Sequence, residues 1–230
     1  MTPPRRPLLP PFQAALLDLD GLVLDSEASY RHAWQAAARE AGATLPEAFC
    51  RGLFGQHADA VAAALREALG PSFDQDRFCR AAERHWRRHL AQHGLAPMPG
   101  LDRLLAACRR HAIPYALATN SDAPYARECL ELAGLAGEFP VMVTRDQVRH
   151  GKPAPDLFLE AARRLGIPPA LCLGLEDSAP GLEAARAAGT IVVLVQRRGA
   201  LRRRLRPLAQ FACASLNEVA AWLEASAAFR

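Results

Sequence analysis

The sequence lacks the features that mark membrane proteins, zinc-binding proteins and nucleic-acid-binding proteins. In 230 residues no continuous apolar run reaches the roughly 18 residues that a transmembrane helix needs, so no membrane partner is expected. The six cysteines are scattered and form no CxxC pair, which argues against a zinc site and is typical of a reduced, cytoplasmic protein. The net charge is +4 without a basic stripe of interleaved aromatic residues, so a nucleic-acid polymer is not expected as a partner either.

Lysine is almost absent from the chain. Of the 28 basic residues only Lys152 is a lysine, and the others are all arginines. The lysine ammonium group is a compact point charge with three rotatable donors, whereas the arginine side chain is a planar fork. A single lysine in a chain that otherwise uses arginine is therefore a candidate for a catalytic charge, and an ordinary surface lysine is the alternative.

A proline-rich segment and a strand pattern come first along the chain. Residues 1–11 contain five prolines but no continuous apolar segment or small-residue cleavage site, which predicts a poorly ordered tail and no signal peptide. The segment QAALLDLD, residues 13–20, is an apolar run that ends in acids. Such a run is typical of a strand that is buried on both faces of a parallel sheet.

Helical periodicity dominates residues 27–97, and no convincing strand pattern interrupts it. Apolar residues recur at helical spacing in three stretches, near 30–41, 57–69 and 76–92. The large side chains of these stretches are expected to form a small core of their own, from Trp34, Phe78 and Trp86. The segment GLAPMPG, residues 94–100, has the composition of a linker.

Helix and strand patterns alternate in the rest of the chain. The strand patterns lie at 113–121, 140–144, 171–177 and 190–195. This alternation predicts an α/β fold with a doubly wound parallel sheet. We therefore expect an α/β core domain from residues 12–26 and 98–230, with residues 27–97 as an inserted helical domain.

Polar side chains follow the predicted strands at the point where each strand ends. They are Asp18 and Asp20, then Thr119, Asn120 and Ser121, then Glu176 and Asp177, with Lys152 in a loop between them. Because the carboxyl ends of parallel strands share one edge of a sheet, these side chains are expected to meet. Four carboxylates in one place need a cation, and hard oxygen ligands favour Mg²⁺ together with a phosphate group. The sequence therefore predicts Mg²⁺ as the cofactor and a small phosphorylated metabolite as the substrate.

Four segments in a fixed order resemble the motifs of a known family. They are DLDGLVLDSE at 18–27, ATNSD at 118–122, GKPAPDLF at 151–158 and GLEDSAPGLEAARAAG at 174–189. Together they resemble the haloacid dehalogenase (HAD) superfamily, in the phosphatase and beta-phosphoglucomutase-like branch with a helical cap. The resemblance implies a Rossmann-like core, a cap inserted after the first motif, and phosphoric monoester hydrolase activity.

The resemblance also implies a role for each matching residue. Asp18 would be the nucleophile that forms an aspartyl-phosphate, and Asp20 would be first the general acid and then the general base. Lys152 would neutralise the nucleophile and the transferring group. The implied metal ligands are Asp18, the backbone carbonyl of Asp20, Glu176 and Asp177. The implied phosphate-binding residues are Gly21, Thr119, Asn120, Ser121 and Lys152.

The cap sequence bears on the choice of reaction. His57 and Glu27 are candidate substrate contacts, although an exposed residue at a helix start is the alternative for His57. Ala58 stands where the family's mutases carry an arginine for a second phosphate, which weakens the mutase hypothesis. The alternative is that another arginine takes that part, either Arg51 or one from the third predicted helix of the cap (Arg80, Arg84, Arg87 and Arg88). The family's L-2-haloacid dehalogenases lack the second acid of the first motif, so the presence of Asp20 argues against that activity.

Three hypotheses therefore remain. The first is a Mg²⁺-dependent phosphatase of a small phosphomonoester such as a phosphosugar, phosphoglycolate or a nucleotide-like monophosphate. The second is a phosphosugar mutase, and the third is a non-catalytic scaffold that retains the fold. The sequence leaves open the substrate, the oligomeric state and the role of the arginine-rich segment 197–206.

Overall fold

The computed structural model describes residues 9–54, 56, 58–71 and 73–227. The strands of this part of the chain are β1 (Ala14–Leu17), β2 (Tyr115–Ala118), β3 (Met142–Val143), β4 (Cys172–Glu176), β5 (Ile191–Val195) and β6 (Phe211–Cys213). They form one sheet in the order β3-β2-β1-β4-β5-β6, and each neighbouring pair is parallel. The predicted parallel α/β sheet is confirmed.

Helices occupy most of the remaining described chain. Those between β1 and β2 are α1 (Glu27–Glu40), α2 (Glu47–Leu53), α3 (Ala58–Leu69), α4 (Gln75–His93) and α5 (Leu101–Arg110). Those that follow are α6 (Ala123–Leu132), α7 (Asp156–Leu165), α8 (Ala179–Ala187), α9 (Gly199–Leu205) and α10 (Leu216–Ala227). From α5 to β5, helices and strands alternate as the sequence predicts.

Both faces of the sheet are covered by helices. In β1, Ala14 and Leu16 belong to one buried cluster, which includes Phe158 of α7 and Leu182 of α8. The intervening residue Ala15 and also Leu17 belong to the other cluster, which draws residues from α5, α6 and α10. Successive strand residues point to opposite faces, so a strand covered on both sides must be apolar throughout. This explains why the sequence of β1 is apolar at every position.

The helices α1–α4 form the predicted helical insertion, and no strand occurs among the described residues of 27–93. They enclose a small apolar cluster with Leu53 and Phe78 among its members. Trp86 differs from the expectation, because it packs into the main core cluster and stacks on Tyr125 of α6. The domain limits at 26/27 and 97/98 stay predictions.

The chain enters and leaves the helical insertion through two adjacent segments. The backbone N–H of Asp25 donates to the carbonyl of Ala96 at 2.9 Å, and that of Met98 donates to the carbonyl of Val23 at 2.8 Å. The insertion is thus attached to the core through a short, paired connection. This connection lies directly after Asp18 and Asp20, so it positions the helices beside the ends of the strands.

Two further observations concern the helices and the cysteines of the described residues. None of the helices in this part of the chain has the length and apolar character that a membrane crossing needs. All six cysteines are free thiols, and five of them are buried as small apolar side chains.

Candidate active site

Lys152 lies between two buried carboxylates at the carboxyl edge of the sheet. Its Nζ donates to Asp18 Oδ1 and to Glu176 Oε1, each at 2.5 Å. Asp18 follows β1 and Glu176 ends β4, and these strands are neighbours in the sheet. Burial by itself lowers the pKa of Lys152, but the two carboxylates together raise it above its ordinary value. The lysine is therefore a fixed positive charge.

Three buried carboxylates surround this single lysine. Oxygen atoms of Asp18, Glu176 and Asp177 all lie within 4.8 Å of one another. Burial raises the pKa of Asp177 well above its ordinary value, and the nearby charges of Asp18 and Glu176 add to the effect. Burial also raises the pKa of Glu176, to about 7, against the opposing attraction of Lys152. The negative charge in excess of Lys152, carried by hard oxygen ligands, fits a divalent cation such as Mg²⁺.

Two glycines allow this close approach of backbone and carboxylates. Gly21 has φ +83°, and a Cβ built on it would lie 2.5 Å from Asp177 Oδ2. A side chain at Gly181, in the first turn of α8, would overlap the carboxyl group of Glu176. Glycine is needed at both positions because any larger residue would displace a carboxylate of the cluster.

Asp20 is held by hydroxyl groups. Ser121 Oγ donates to its Oδ2 at 2.9 Å, and the Tyr125 hydroxyl donates to its Oδ1 at 2.9 Å. The Tyr125 hydroxyl lies 2.6 Å from the hydroxyl of Tyr30. Burial and the charge of Asp18 raise the pKa of Asp20, while the hydroxyl donors oppose this. A carboxyl group with a raised pKa in a cleft is suited to proton transfer.

The loop after β2 supports Lys152 from the other side. The side chain of Asn120 accepts from the backbone N–H of Lys152 at 2.7 Å and donates to its carbonyl at 3.2 Å. Thr119 is buried, and its hydroxyl oxygen accepts from the backbone N–H of Ser121 at 3.0 Å. The predicted phosphate-binding residues of this loop therefore lie at the site, and the Asn120 side chain is committed to the Lys152 backbone.

A cavity of about 230 Å³ opens between Asp20 and the helical insertion. The insertion contributes the aromatic rings of Tyr30, Trp34 and Phe54 and the polar side chains of Glu27 and Gln56. None of the described lining residues carries a positive charge. His57, which was predicted to contact substrate, lies outside the residues that the structure describes.

The loop after β5 contributes residues that sequence reasoning missed. Both Nη atoms of Arg197 donate to the Asp25 carboxylate, at 3.1 and 3.2 Å. Arg198 donates to Glu27 Oε1 at 2.8 Å and to the carbonyl of Arg51 in α2 at 2.9 Å. These arginines follow β5 just as the predicted site residues follow their strands, so the strand-end rule could have found them. Part of the arginine-rich segment thus connects the core to the insertion.

Comparison with known proteins finds similar sequences and a similar fold. The family model described as haloacid dehalogenase-like hydrolase matches residues 12–189. The chain is 32% identical to the fructose-1-phosphate phosphatase YqaB of Escherichia coli, over 80% of this chain and 97% of that protein. It is 33% identical to hexitol phosphatase A of Escherichia coli, over 78% and 81% of the respective lengths. A HAD family hydrolase from Deinococcus radiodurans, solved with bound phosphate and sodium, superposes with a TM-score of 0.75 at 31% identity over 94% of this chain and 97% of that chain.

Proposed function

The chain belongs to the haloacid dehalogenase-like hydrolase family and is a phosphoric monoester hydrolase, and we propose that it is a Mg²⁺-dependent phosphatase of a small monophosphorylated sugar or sugar alcohol. The observation that carries the proposal is the buried group of Asp18, Glu176 and Asp177 around Lys152, with Asp20 beside it. A group of this composition is suited to receive a phosphoryl group on a carboxylate and to balance its charge.

In the first step a carboxylate oxygen of Asp18 attacks phosphorus, and the bond between phosphorus and the leaving oxygen breaks. Asp20 gives its proton to that leaving oxygen, so the substrate departs as an alcohol. Lys152 holds the Asp18 carboxylate in place at 2.5 Å and offers its charge to the transferring group. The product of this step is a phosphoryl group esterified to Asp18.

In the second step water cleaves the aspartyl-phosphate. Asp20, now a carboxylate, accepts a proton from the water as its oxygen attacks phosphorus. The bond between phosphorus and the Asp18 oxygen breaks, which releases inorganic phosphate and restores the Asp18 carboxylate. Asp20 thus ends the cycle protonated, ready for the next substrate.

Asp18, Glu176, Asp177 and the backbone carbonyl of Asp20 would hold Mg²⁺. When bound, Mg²⁺ supplies positive charge against the phosphoryl oxygens and against the excess of carboxylates. Glu176 also accepts from Lys152, so it would interact with both the lysine and Mg²⁺. The backbone N–H of Gly21 donates to the carbonyl of Leu24 at 2.9 Å, so Gly21 would contribute through the tight turn that it permits. The hydroxyl of Thr119 accepts from the backbone N–H of Ser121 and can donate its own hydrogen to a phosphoryl oxygen.

The cavity supports a leaving group that is neutral and rich in hydroxyls. Its aromatic wall of Tyr30, Trp34 and Phe54 suits the apolar face of a carbon chain or ring, while Glu27 and Gln56 can bind hydroxyl groups. A second phosphate would meet the carboxylate of Glu27, which already pairs with Arg198, and none of the described lining residues is a cation. This favours a monophosphate, in keeping with the names of the two Escherichia coli relatives.

The proposal is tested by measuring phosphate release with and without Mg²⁺. The panel contains fructose 1-phosphate, sorbitol 6-phosphate, phosphoglycolate, a nucleoside monophosphate and p-nitrophenyl phosphate. We expect Mg²⁺-dependent release that is fastest with the sugar and sugar-alcohol phosphates, and that is abolished by excess chelator. Preferred release from phosphoglycolate or from the nucleotide would contradict the proposed substrate class but leave the reaction type intact.

The same panel, extended by glucose 1-phosphate with and without glucose 1,6-bisphosphate, separates the other two hypotheses. Isomerisation of glucose 1-phosphate only when glucose 1,6-bisphosphate is added, without phosphate release from any member, would identify a mutase. If the folded protein shows neither phosphate release nor isomerisation, the non-catalytic scaffold is the hypothesis that remains. Rapid quenching and peptide mass spectrometry provide a direct test of the intermediate, because the phosphoryl group is expected on the peptide that contains Asp18.

A further inference from the structure

We infer that Tyr125 is a positioning residue for Asp20. We also infer that the hydrogen bond between Tyr30 and Tyr125 makes this positioning depend on the placement of helix α1. The inference rests on the proposed function, because it concerns the carboxyl group that protonates the leaving oxygen. The observation behind it is a continuous chain of side-chain groups. The Tyr30 hydroxyl lies 2.6 Å from the Tyr125 hydroxyl, which donates to Asp20 Oδ1 at 2.9 Å.

Tyr125 and Ser121 each hold one oxygen of the Asp20 carboxyl group. Ser121 Oγ donates to Oδ2, and the Tyr125 hydroxyl donates to Oδ1. One donor on each oxygen fixes the plane of the carboxyl group against rotation. Because every carboxylate oxygen has two lone pairs, both oxygens can still take part in proton transfer. The two donors therefore fix the orientation of Asp20 and still leave it lone pairs for proton transfer.

The hydrogen bonds of this chain run in one direction. When Asp20 is ionised, as it is before it takes the proton from water, its carboxylate can only accept, so the single hydroxyl hydrogen of Tyr125 is directed at Asp20. The oxygen of Tyr125 is then an acceptor, and Tyr30 is its donor. Tyr30 consequently acts on Asp20 only through Tyr125.

The two tyrosines belong to different parts of the molecule. Tyr30 lies on α1 of the helical insertion, whereas Tyr125 lies on α6 beside the sheet. Trp86 of α4 stacks on both rings, with centroid distances of 5.8 Å to Tyr30 and 5.0 Å to Tyr125. Movement of α1 away from α6 would break the 2.6 Å contact between the two hydroxyl groups. The complete hydrogen-bonded chain to Asp20 therefore forms only when the helical insertion has the position seen in this structure.

The chain provides a matched set of tyrosine variants. It contains three tyrosines, and the third, Tyr115, contacts Glu138 and lies at the far end of β2 from the site. We would measure kcat/KM of Tyr125→Phe, Tyr30→Phe, the double variant and the control Tyr115→Phe. The two substrates are glycerol 2-phosphate and p-nitrophenyl phosphate. An alkoxide leaving group needs a proton as it departs, whereas nitrophenolate departs without one, so their ratio reports on the general acid.

Tyr125→Phe is expected to lower kcat/KM for glycerol 2-phosphate about tenfold to a hundredfold, the usual effect of losing a hydrogen bond to a charged group. For p-nitrophenyl phosphate the expected loss is smaller than about threefold, because that reaction does not need the proton. Tyr30→Phe should show a weaker loss with the same substrate dependence. The double variant should resemble Tyr125→Phe, since Tyr30 acts through Tyr125. Tyr115→Phe should match the wild type.

Other outcomes would overturn the inference. An equal loss with both substrates would assign Tyr125 a packing role, and an unchanged Tyr125→Phe would remove it from the reaction. Losses that multiply in the double variant would show that Tyr30 does not act through Tyr125. A folded wild-type protein that hydrolyses neither these two substrates nor the sugar and sugar-alcohol phosphates of the panel would overturn the proposed function, and the positioning role with it. Melting temperatures of all variants establish that each one is folded.

Discussion

At the scale of single residues, the position of the Glu176 side chain is fixed by its immediate neighbours. It is fully buried, and one of its oxygens accepts from Lys152 while the other accepts from the backbone N–H of Asp177 and from the hydroxyl of Ser178. Gly181 leaves the space that its carboxyl group occupies. Since Glu176 cannot move without breaking several hydrogen bonds, an added methyl group at Gly181 cannot be accommodated by a simple rotation.

Gly181→Ala should therefore lower the free energy of unfolding by at least about 2 kcal/mol, because it forces the buried Glu176 out of place. The matched control is Gly52→Ala in α2, where nothing lies within 4 Å of the added Cβ. In an open helical position alanine is favoured over glycine by about 0.5–1 kcal/mol, so Gly52→Ala should be slightly stabilising. Denaturant unfolding measures both variants, and equal effects would contradict the steric argument.

Asp18→Asn should fold like the wild type but lose phosphatase activity by at least about 10³-fold, since the variant keeps the shape and removes the nucleophile. The control is Asp59→Asn, on the exposed surface of α3, which should retain full activity. Phosphate release and a thermal melt measure the two properties separately. If Asp18→Asn kept most of its activity, the aspartyl-phosphate route would be wrong.

Most individual site residues could be predicted because their types and spacing are unusual for a strand end. Asp18 and Asp20 follow an apolar run, and Lys152 is the single lysine. The tyrosine pair could not be found this way, since Tyr30 and Tyr125 are 95 positions apart. Only the packing of α1 against α6 brings these hydroxyl groups together, and nothing in the local sequence of either tyrosine indicates it.

At the scale of structural elements, the loop after β5 links the core to the helical insertion through ion pairs and a hydrogen bond. Arg197 pairs with Asp25 in the connecting segment, while Arg198 pairs with Glu27 of α1 and reaches the carbonyl of Arg51 in α2. The guanidinium group of Arg198 also lies 5.7 Å from the ring of Phe54, which lines the cavity. One arginine thus contacts both the start of the insertion and the edge of the substrate cavity.

Arg198→Met should loosen the end of α2 and raise KM roughly threefold to tenfold while changing kcat little. The physical reason is that the Arg51 carbonyl loses its donor and Glu27 loses its charge partner beside the cavity. Hydrogen exchange of residues 47–54 should become faster in the variant. Arg204→Met, on an exposed position of the same α9 region, is the control and should leave both quantities unchanged. A fall in kcat with unaltered KM would rule out this role.

Sequence patterns did not predict the short elements α2, α9 and β6, and they did not predict the twelve-residue helix α10. Helix α2 has seven residues, which is about two turns and too few for periodicity to emerge, and β6 has three residues at the edge of the sheet. Helix α9 contains the arginine run. Its one buried residue, Leu205, is too little to give an apolar pattern among these charges. By contrast, α4 has a clear apolar face, and its limits agree with the predicted stretch 76–92 within two residues.

For the molecule as a whole, the cluster of three carboxylates around one lysine is an internal excess of negative charge. Mg²⁺ should therefore raise the melting temperature, with a gain of about 2.7 kcal/mol in unfolding free energy at a hundredfold excess over its Kd. Asp177→Asn should abolish this response. The variant should not lower the stability of the metal-free protein, because burial and its neighbours already disfavour the Asp177 charge. Thermal melts with Mg²⁺ and with chelator measure both effects.

The control for this prediction is the exposed variant Asp59→Asn, which should respond to Mg²⁺ like the wild type. A melting temperature that Mg²⁺ leaves unchanged in the wild type would contradict the assignment of the metal to this cluster. So would an undiminished Mg²⁺ response in Asp177→Asn. These readouts do not depend on activity, and they therefore test the metal site even before a substrate is known.

The overall architecture was the most predictable level of the structure. Alternating helix and strand patterns after residue 98, together with the buried run at 13–20, were sufficient to predict the parallel sheet and its active edge. The identity of the substrate was not predictable, because the cavity is lined by ordinary residues such as Trp34, Phe54 and Gln56 from separate helices. Their joint shape arises only in the folded molecule.

The single lysine has a practical consequence for observing motion in this protein. An amine-reactive acylating reagent can modify only one side chain, and that side chain is sealed between two carboxylates in the folded state. The mass added to the peptide that contains Lys152 therefore counts the molecules whose active site has opened during the exposure. Slower labelling in the presence of inorganic phosphate would report ligand occupancy from the intact protein, without any enzymatic turnover.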